Sequence, residues 1–143
     1  MLDVAEVKKG DVIYDLGSGD GRIVIRAAKR FGVRCVGVER DPRLIHLSRS
    51  TAKKEGVEHL VEFHEEDVLE VDVSAATLVT LYLSTQLNNK LRPGLRKQLK
   101  PGSRVVSHDF PIEGWTPRSV VKVPGGLIHR HRLYLWYVDD QPK

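Results

Sequence analysis

The stretch Val12-Ile13-Tyr14-Asp15-Leu16-Gly17-Ser18-Gly19-Asp20-Gly21-Arg22 decides the fold. Its first half is a short β-branched and apolar run, which is a strand signal. In its second half, Gly17 and Gly19 allow a tight turn and the close approach of a ligand to the backbone. After Gly21, the residues Ile23, Ala27, Ala28 and Phe31 recur at helical spacing. The dinucleotide fingerprint G-x-G-x-x-G would place its third glycine at position 22, where Arg22 stands, so NAD or FAD fits poorly. The phosphate loop G-x-x-x-x-G-K-[ST] is absent.

Working outward, further short strand signals are Val33 to Glu39, Val61 to His64, Thr77 to Leu83, Ser103 to Ser107, Val120 to Val123 and Leu133 to Val138. Asp41-Pro42 opens a second helix as an N-cap followed by Pro at the first helical position. Leu87, Leu91, Leu95 and Leu99 form a third helical stripe. Pro93-Gly94 interrupts it, so this helix is expected to kink or restart. The order β-α-β-α-β-β-α-β-β-β predicts an α/β fold: a Rossmann-like, mostly parallel sheet with helices on both faces. The last two strands are expected to form an antiparallel edge joined through Pro124-Gly125-Gly126. Ligands in such sheets bind beyond the C-terminal strand ends. That places function at Gly17–Gly21, Glu39–Arg40, His64–Asp67, Tyr82–Thr85 and His108–Phe110.

The chain has 143 residues, about one ordinary domain, and no linker or repeat divides it. Apolar residues make up 41% and charged residues 29%, a globular balance that argues against wholesale disorder. The net charge of +4 is too small by itself to imply nucleic acid. The longest largely apolar run, Ala75 to Leu83, falls far short of the ~20 residues that span a bilayer. Lone Cys35 excludes an internal disulfide and a cysteine zinc cluster. A cytoplasmic monomer is the expectation. The single Met, the few Asn and Gln side chains and the many charges fit a thermophile, with chance in a short chain nearly as good a reading.

The D-x-G-x-G-x-G loop suits a ligand without a pyrophosphate. Asp15 and Asp20 would repel phosphate but accept hydrogen bonds from an ammonium group. S-adenosylmethionine (SAM) offers a sulfonium and an α-ammonium. Glu39, next to Arg40 at the end of the second strand, is placed to accept the ribose hydroxyls, by the logic of the acid in nucleotide folds. Asp67, followed by Val68 after the third strand, can accept from the adenine amino group. Each acid has a plainer reading as a helix cap, a surface ion pair or a solvated side chain. The three in this order beside the glycine loop favour the cofactor.

With these residues in hand, the sequence resembles the class I SAM-dependent methyltransferases, in minimal form. More narrowly it is similar to the archaeal broad-specificity protein lysine methyltransferases and their mitochondrial relatives that methylate the ATP synthase c-subunit. The glycine loop is common to many methyltransferases. The stretches Lys100-Pro101-Gly102-Ser103-Arg104-Val105-Val106-Ser107-His108 and Gly114-Trp115-Thr116-Pro117 are narrower. The resemblance implies transfer of methyl from SAM to protein lysine ε-amines, with S-adenosylhomocysteine as product. It places Asp15, Gly17 and Gly19 at the methionine part, with Tyr14, Ser18, Asp20 and Arg22 alongside. It places Glu39 with Arg40 at the ribose, Asp67 and Val68 at the adenine, and Tyr82 and Leu83 beside the transferring methyl. Family members carry a leader before their first helix, whereas Met1 stands almost at that helix here, which bears on how the cofactor is covered.

Methyl transfer to an amine is an in-line displacement. Alignment alone lowers such barriers by ~7–11 kcal/mol. Lysine, with a pKa of ~10.4 in water, loses its proton more easily in an apolar channel beside a positive charge, so no dedicated strong base is expected. Tyr82 is the candidate for orienting the amine, by hydroxyl or ring face; a simple packing role at the strand end is the alternative.

The basic segment from Lys90 to Arg104 is either a docking face or a solvated one, and so is the acidic run from Glu62 to Asp72. His129 and His131 would share one strand face, with His108 and Asp109 elsewhere in the sequence, so a metal site is conceivable, but no third ligand is evident nearby and no metal is expected. His108 is expected to shape the pocket, Trp115 to pack over a sheet edge and Cys35 to be buried.

Other function classes remain open. A nucleic-acid methyltransferase of the adenine N6 type would carry N-P-P-[FYW] after the fourth strand, where Leu81-Tyr82-Leu83-Ser84 stands, and Cys35 is misplaced for pyrimidine C5 chemistry. A small-molecule methyltransferase usually adds a lid, for which few residues are left. A SAM-binding module with little activity is the last.

Overall fold

The computed structural model describes residues 1–125 and 129–143, with side chains left aside at 125, 129 and 130. Among the described residues, seven strands and three α-helices follow the order β1 (Val12–Leu16), α1 (Arg22–Phe31), β2 (Arg34–Glu39), α2 (Pro42–Lys54), β3 (Val61–Glu65), β4 (Leu78–Leu81), α3 (Thr85–Gln98), β5 (Arg104–His108), β6 (Ser119–Gly125) and β7 (His129–Tyr137), and a 3-10 turn (Val138–Asp140) follows β7. The sheet order is β3-β2-β1-β4-β5-β7-β6. β1, β2, β3, β4 and β5 pair in parallel, and β7 runs antiparallel to both β5 and β6. The antiparallel pair is therefore present, with β7 inserted beside β5 and β6 left at the rim. Position 126 of the expected turn lies outside the described residues. The strand order reverses direction between β1 and β4, the topological switch point of an open α/β sheet.

Alternation along β1 divides the core. Ile13 joins Cys35, Phe63, Leu78 and Val106 under α1 and α2, with Leu2 and Ala5 from the N-terminal turns. Tyr14 and Leu16 join Val38, Val79, Val105 and Trp136 under Leu91 and Leu95 of α3. Between β3 and β4 no helix forms. Val68, Val71, Val73 and Ala76 from that connection instead cover the α3 side of the sheet.

The helix ends follow local chemistry. Asp41 caps α2 by accepting from the Arg43 N–H at 2.9 Å, with Pro42 at the first helical position. Ser84 caps α3 through the Leu87 N–H at 3.1 Å. α3 runs without restart through Pro93, contrary to one branch of the sequence expectation. Pro93 is exposed, so a carbonyl deprived of its donor has water nearby. The segment before β1 is a set of hydrogen-bonded turns, with the Ala5 N–H on the Met1 carbonyl at 3.1 Å, where the resemblance implied a helix.

Deep under the opposite end of the sheet lies a buried ion pair. The Arg104 guanidinium donates to Asp11 and to the Ala5 carbonyl, and Thr77 Oγ1 donates to the same Asp11 oxygen at 2.7 Å. This ties β5, the entrance to β1 and the N-terminal turns together.

Candidate functional site

β1 delivers Asp15, Leu16 and Gly17 to the switch point. The chain then folds back on β2: the N–H groups of Gly17 and Ser18 both donate to the Val38 carbonyl, at 2.8 and 2.9 Å. Gly17, Gly19 and Gly21 all have left-handed backbone, with φ of +80°, +58° and +81°. Two of them also lack room for a side chain. A Cβ on Gly21 would lie 2.9 Å from the Phe63 ring, and one on Gly17 would lie 2.7 Å from Leu83 Cδ2. At Gly19 a Cβ would meet nothing within 4 Å, so the loop exposes bare backbone to open space there. That open cradle is where a ligand can lie against the main chain.

Glu39 closes one side. Its Oε1 accepts the Gly19 N–H at 3.0 Å, and its Oε2 accepts the N–H groups of Arg40 and Asp41 at 2.9 and 3.0 Å. A carboxylate has about four acceptor positions, so one remains for an incoming hydroxyl. Asp67 stands one strand further, its Oδ1 on the Leu69 N–H at 3.0 Å and its Oδ2 3.9 Å from the Arg40 guanidinium. On the far side Leu83 touches the loop, and Tyr82 is 59% exposed, its ring stacked on His108 with centroids 4.4 Å apart.

The structure thus brings Gly17, Gly19, Glu39, Arg40, Asp67, Tyr82 and Leu83 together at the strand ends. Several other expected residues sit differently. Asp15 is 1% exposed, beneath the loop, with Oδ1 accepting from Thr80 Oγ1 at 2.7 Å. Burial pushes its pKa from 3.8 up to about 6, against the pull of the Thr80 hydroxyl and with a further push from Glu39. Ser18 Oγ packs over Gly37 and has no hydrogen-bond partner among the described residues. Asp20 is engaged by the Arg22 guanidinium at 2.8 Å, which holds its carboxyl below the usual range. Tyr14 lies within the core rather than at the strand end, and burial raises its phenol pKa. Val68 is also a core residue, lining a cavity of about 130 Å³ with Leu16 and Leu91.

The sequence reading missed the support beneath the loop. Thr80 holds Asp15, Ser48 Oγ donates to the Gly19 carbonyl at 3.2 Å, and the Phe63 ring fills the space under Gly21 and Gly37. A polar residue inside the apolar run of β4 and a glycine inside β2 were the available signals. In the sequence His108 and Asp109 stand far from His131, so no third ligand is evident nearby. The structure supplies two, because β5 and β7 are neighbours: Asp109 Oδ2 lies 3.2 Å from His131 Nδ1 and 3.6 Å from His108 Nδ1. The His129 side chain lies outside the described residues. Trp115 packs edge-on against Trp136 in the sheet interior, with centroids 6.4 Å apart, rather than over an edge. Cys35 is buried, which pushes its thiol pKa up to about 12 and makes it inert.

The donor set suits SAM. Acids line the cradle, bare backbone faces it, and no P-loop or third dinucleotide glycine is present. The doubly wound sheet with its antiparallel β6–β7 pair and this acid-lined glycine cradle define a class I SAM-dependent methyltransferase. The ANTKMT methyltransferase domain family is matched over residues 15–119, and the chain belongs to it.

A protein-lysine N-methyltransferase of Saccharolobus islandicus (strain REY15A) is 45% identical over 98% of this chain and 87% of its own length. The human lysine N-methyltransferase named for the ATP synthase c-subunit is 38% identical over 84% of the chain, which spans 51% of that relative. A crystal structure of an RNA methyltransferase from Salinibacter ruber with S-adenosyl-L-homocysteine superposes with a TM-score of 0.92 at 49% identity. It covers 99% of this chain and 90% of that one.

Proposed function

We propose that this enzyme methylates lysine ε-amines of proteins, with little demand on the sequence around the lysine. The observation that carries the acceptor class is the separation of charge around the site. Glu65 ends β3 and Glu66 and Asp67 follow it directly, and Glu66 donates its N–H to the Glu39 carbonyl at 3.1 Å, so the acids sit at the strand ends. Two cations of the loops that form the cradle are paired with acids, Arg22 with Asp20 and Arg40 with Asp67. Arg92, Arg96 and Lys97 belong to α3, where they line a separate cavity of about 690 Å³ beside Trp115. An acidic mouth attracts a lysine side chain and repels a phosphate backbone.

The relatives point both ways, through a protein-lysine N-methyltransferase at 45% identity and an RNA methyltransferase at 49%. The loop after β4 favours protein, since Leu81-Tyr82-Leu83-Ser84 lacks the Asn and Pro groups that hold a flipped adenine.

In this reading Gly19 exposes backbone to the methionine part while Gly17 makes the tight turn beside it, with the Asp15 charge beneath the loop. Glu39 accepts from the ribose and Asp67 from the adenine. The bound cofactor supplies an electrophilic methyl group on a sulfonium. Tyr82 and Leu83 form the wall at which the amine enters, and the Tyr82 ring face orients it. Leu83 packs over Gly17 and keeps water from the loop, which helps the lysine shed its proton. Among the described residues no helix is long and apolar enough to cross a membrane. A monomer acting in the cytoplasm completes the proposal.

The test is incubation with radiolabelled SAM and, separately, a protein lysate and total RNA. Label in protein supports the reading, and label confined to RNA replaces it.

A further inference from the structure

At the C-terminal end of β5 the chain turns sharply at Asp109, which adopts left-handed backbone with φ +64°. The turn is locked to β7: the Asp109 N–H donates to the Arg132 carbonyl at 2.7 Å, and Asp109 Oδ1 accepts the Arg132 N–H at 2.9 Å. With one oxygen so committed, the other is aimed at two imidazoles. Asp109 Oδ2 lies 3.2 Å from His131 Nδ1 and 3.6 Å from His108 Nδ1, and one ligating atom from each of the three falls within 4.8 Å of the others. The two rings are 4.5 Å apart.

Zinc bound tetrahedrally at ~2.0–2.1 Å holds its ligands roughly 3.4 Å from one another, which the two measured distances straddle. Two imidazoles and a carboxylate select a transition metal over magnesium or calcium. The carboxylate is already oriented by a backbone N–H, as outer contacts orient metal ligands. The side chains are partly exposed, at 16%, 22% and 32% for His108, Asp109 and His131, so an ion can enter from solvent.

We propose that His108, Asp109 and His131 form a divalent transition-metal site of the zinc type. Metal there clamps β7 to the end of β5 and fixes the His108 ring on which Tyr82 stacks. The site does not depend on whether the acceptor is protein or RNA.

The test uses the full chain stripped with a chelator. Titration with Co(II) should give the visible absorption bands of a low-coordinate nitrogen and oxygen site. Zn(II) should bind one to one in calorimetry. Asp109→Asn, which keeps a residue that tolerates left-handed backbone, and His131→Gln should each weaken binding at least about tenfold. His64→Gln should leave it unchanged, although His64 sits 3.1 Å from Glu62 and 3.5 Å from Glu66. Thermal unfolding of each variant checks that it folds. A second measurement needs no substitution: Zn(II) should protect His108 and His131, but not His64, from diethylpyrocarbonate, read residue by residue by mass spectrometry. Absence of one-to-one binding, binding indifferent to both substitutions, or equal modification with and without zinc would overturn the proposal.

Discussion

Replacing Asp15 by Asn separates what the buried carboxylate costs the fold from what it gives the cofactor. Burial lifts the Asp15 pKa from 3.8 to about 6, which corresponds to about 3 kcal/mol at about 1.4 kcal/mol per pH unit. The sign follows from proton binding. Between these two values the unfolded chain has lost the proton and the folded chain keeps it. Stability from this group therefore falls as pH rises through that window and stays lower above about 6. Asn keeps an oxygen to accept from Thr80 Oγ1 and carries no charge. Asp15→Asn should thus stabilise the cofactor-free protein at pH 8 by up to about 3 kcal/mol, on the order of 10 °C in Tm, with little change at pH 4. A cationic ligand favours the ionised carboxylate, so SAM should bind the parent protein more tightly as pH rises through about 6. Affinity for the variant should be flatter with pH and weaker at pH 8. Denaturant unfolding at both pH values and calorimetric titration with SAM measure the two effects. Loss of stability at pH 8 in Asp15→Asn would refute the argument, since it would show a carboxylate well compensated in its ionised form.

Further outcomes are expected at four positions. Gly21→Ala should cost about 2–5 kcal/mol in denaturant unfolding, from left-handed strain of ~1–2 kcal/mol and overpacking against Phe63 of ~1–3 kcal/mol. Asp11→Ala leaves Arg104 buried without its carboxylate and should cost about 3–5 kcal/mol. Asp11 itself is desolvated, yet the Arg104 hydrogen bond and those of Lys8 and Thr77 hold its pKa below 3.8. Its stabilisation is therefore present above that value and lost as acid titrates the folded carboxylate, which a pH series of unfolding midpoints will show. Glu39→Ala deprives three backbone N–H groups of their acceptor and should weaken SAM binding at least tenfold, or about 1.4 kcal/mol. Tyr82→Phe should retain most methyl transfer and Tyr82→Ala should lose about tenfold, within the ~0.5–2 kcal/mol of a ring-face contact; equal losses would move the role to the hydroxyl.

Much of the fold was legible because its signals are local. Gly and Pro punctuation bounded β1 and α2, and alternating strands and helices implied the parallel sheet. The insertion of β7 between β5 and β6 was not legible, since strand order depends on long-range pairing. The restart expected at Pro93 does not occur for a related reason, because tertiary packing of Leu91 and Leu95 carries α3 through one lost hydrogen bond. In the site, the acids at strand ends were readable from spacing alone. Sequence could not tell that Asp15 and Ser18 point beneath the loop while Gly19 faces open space, because that depends on Phe63, Thr80 and Gly37 from three other segments. The meeting of His108, Asp109 and His131 depends on the same unreadable β5–β7 pairing.

Transfer of methyl to lysine at the Glu39–Gly19 cradle is tested by total acid hydrolysis of a lysate treated with enzyme and isotopically labelled SAM, followed by quantification of labelled ε-N-methyllysine. The expected result is strong labelling of that amino acid with the native enzyme and its loss with Glu39→Ala. Label recovered in methylated nucleobases, with none in ε-N-methyllysine, would contradict it.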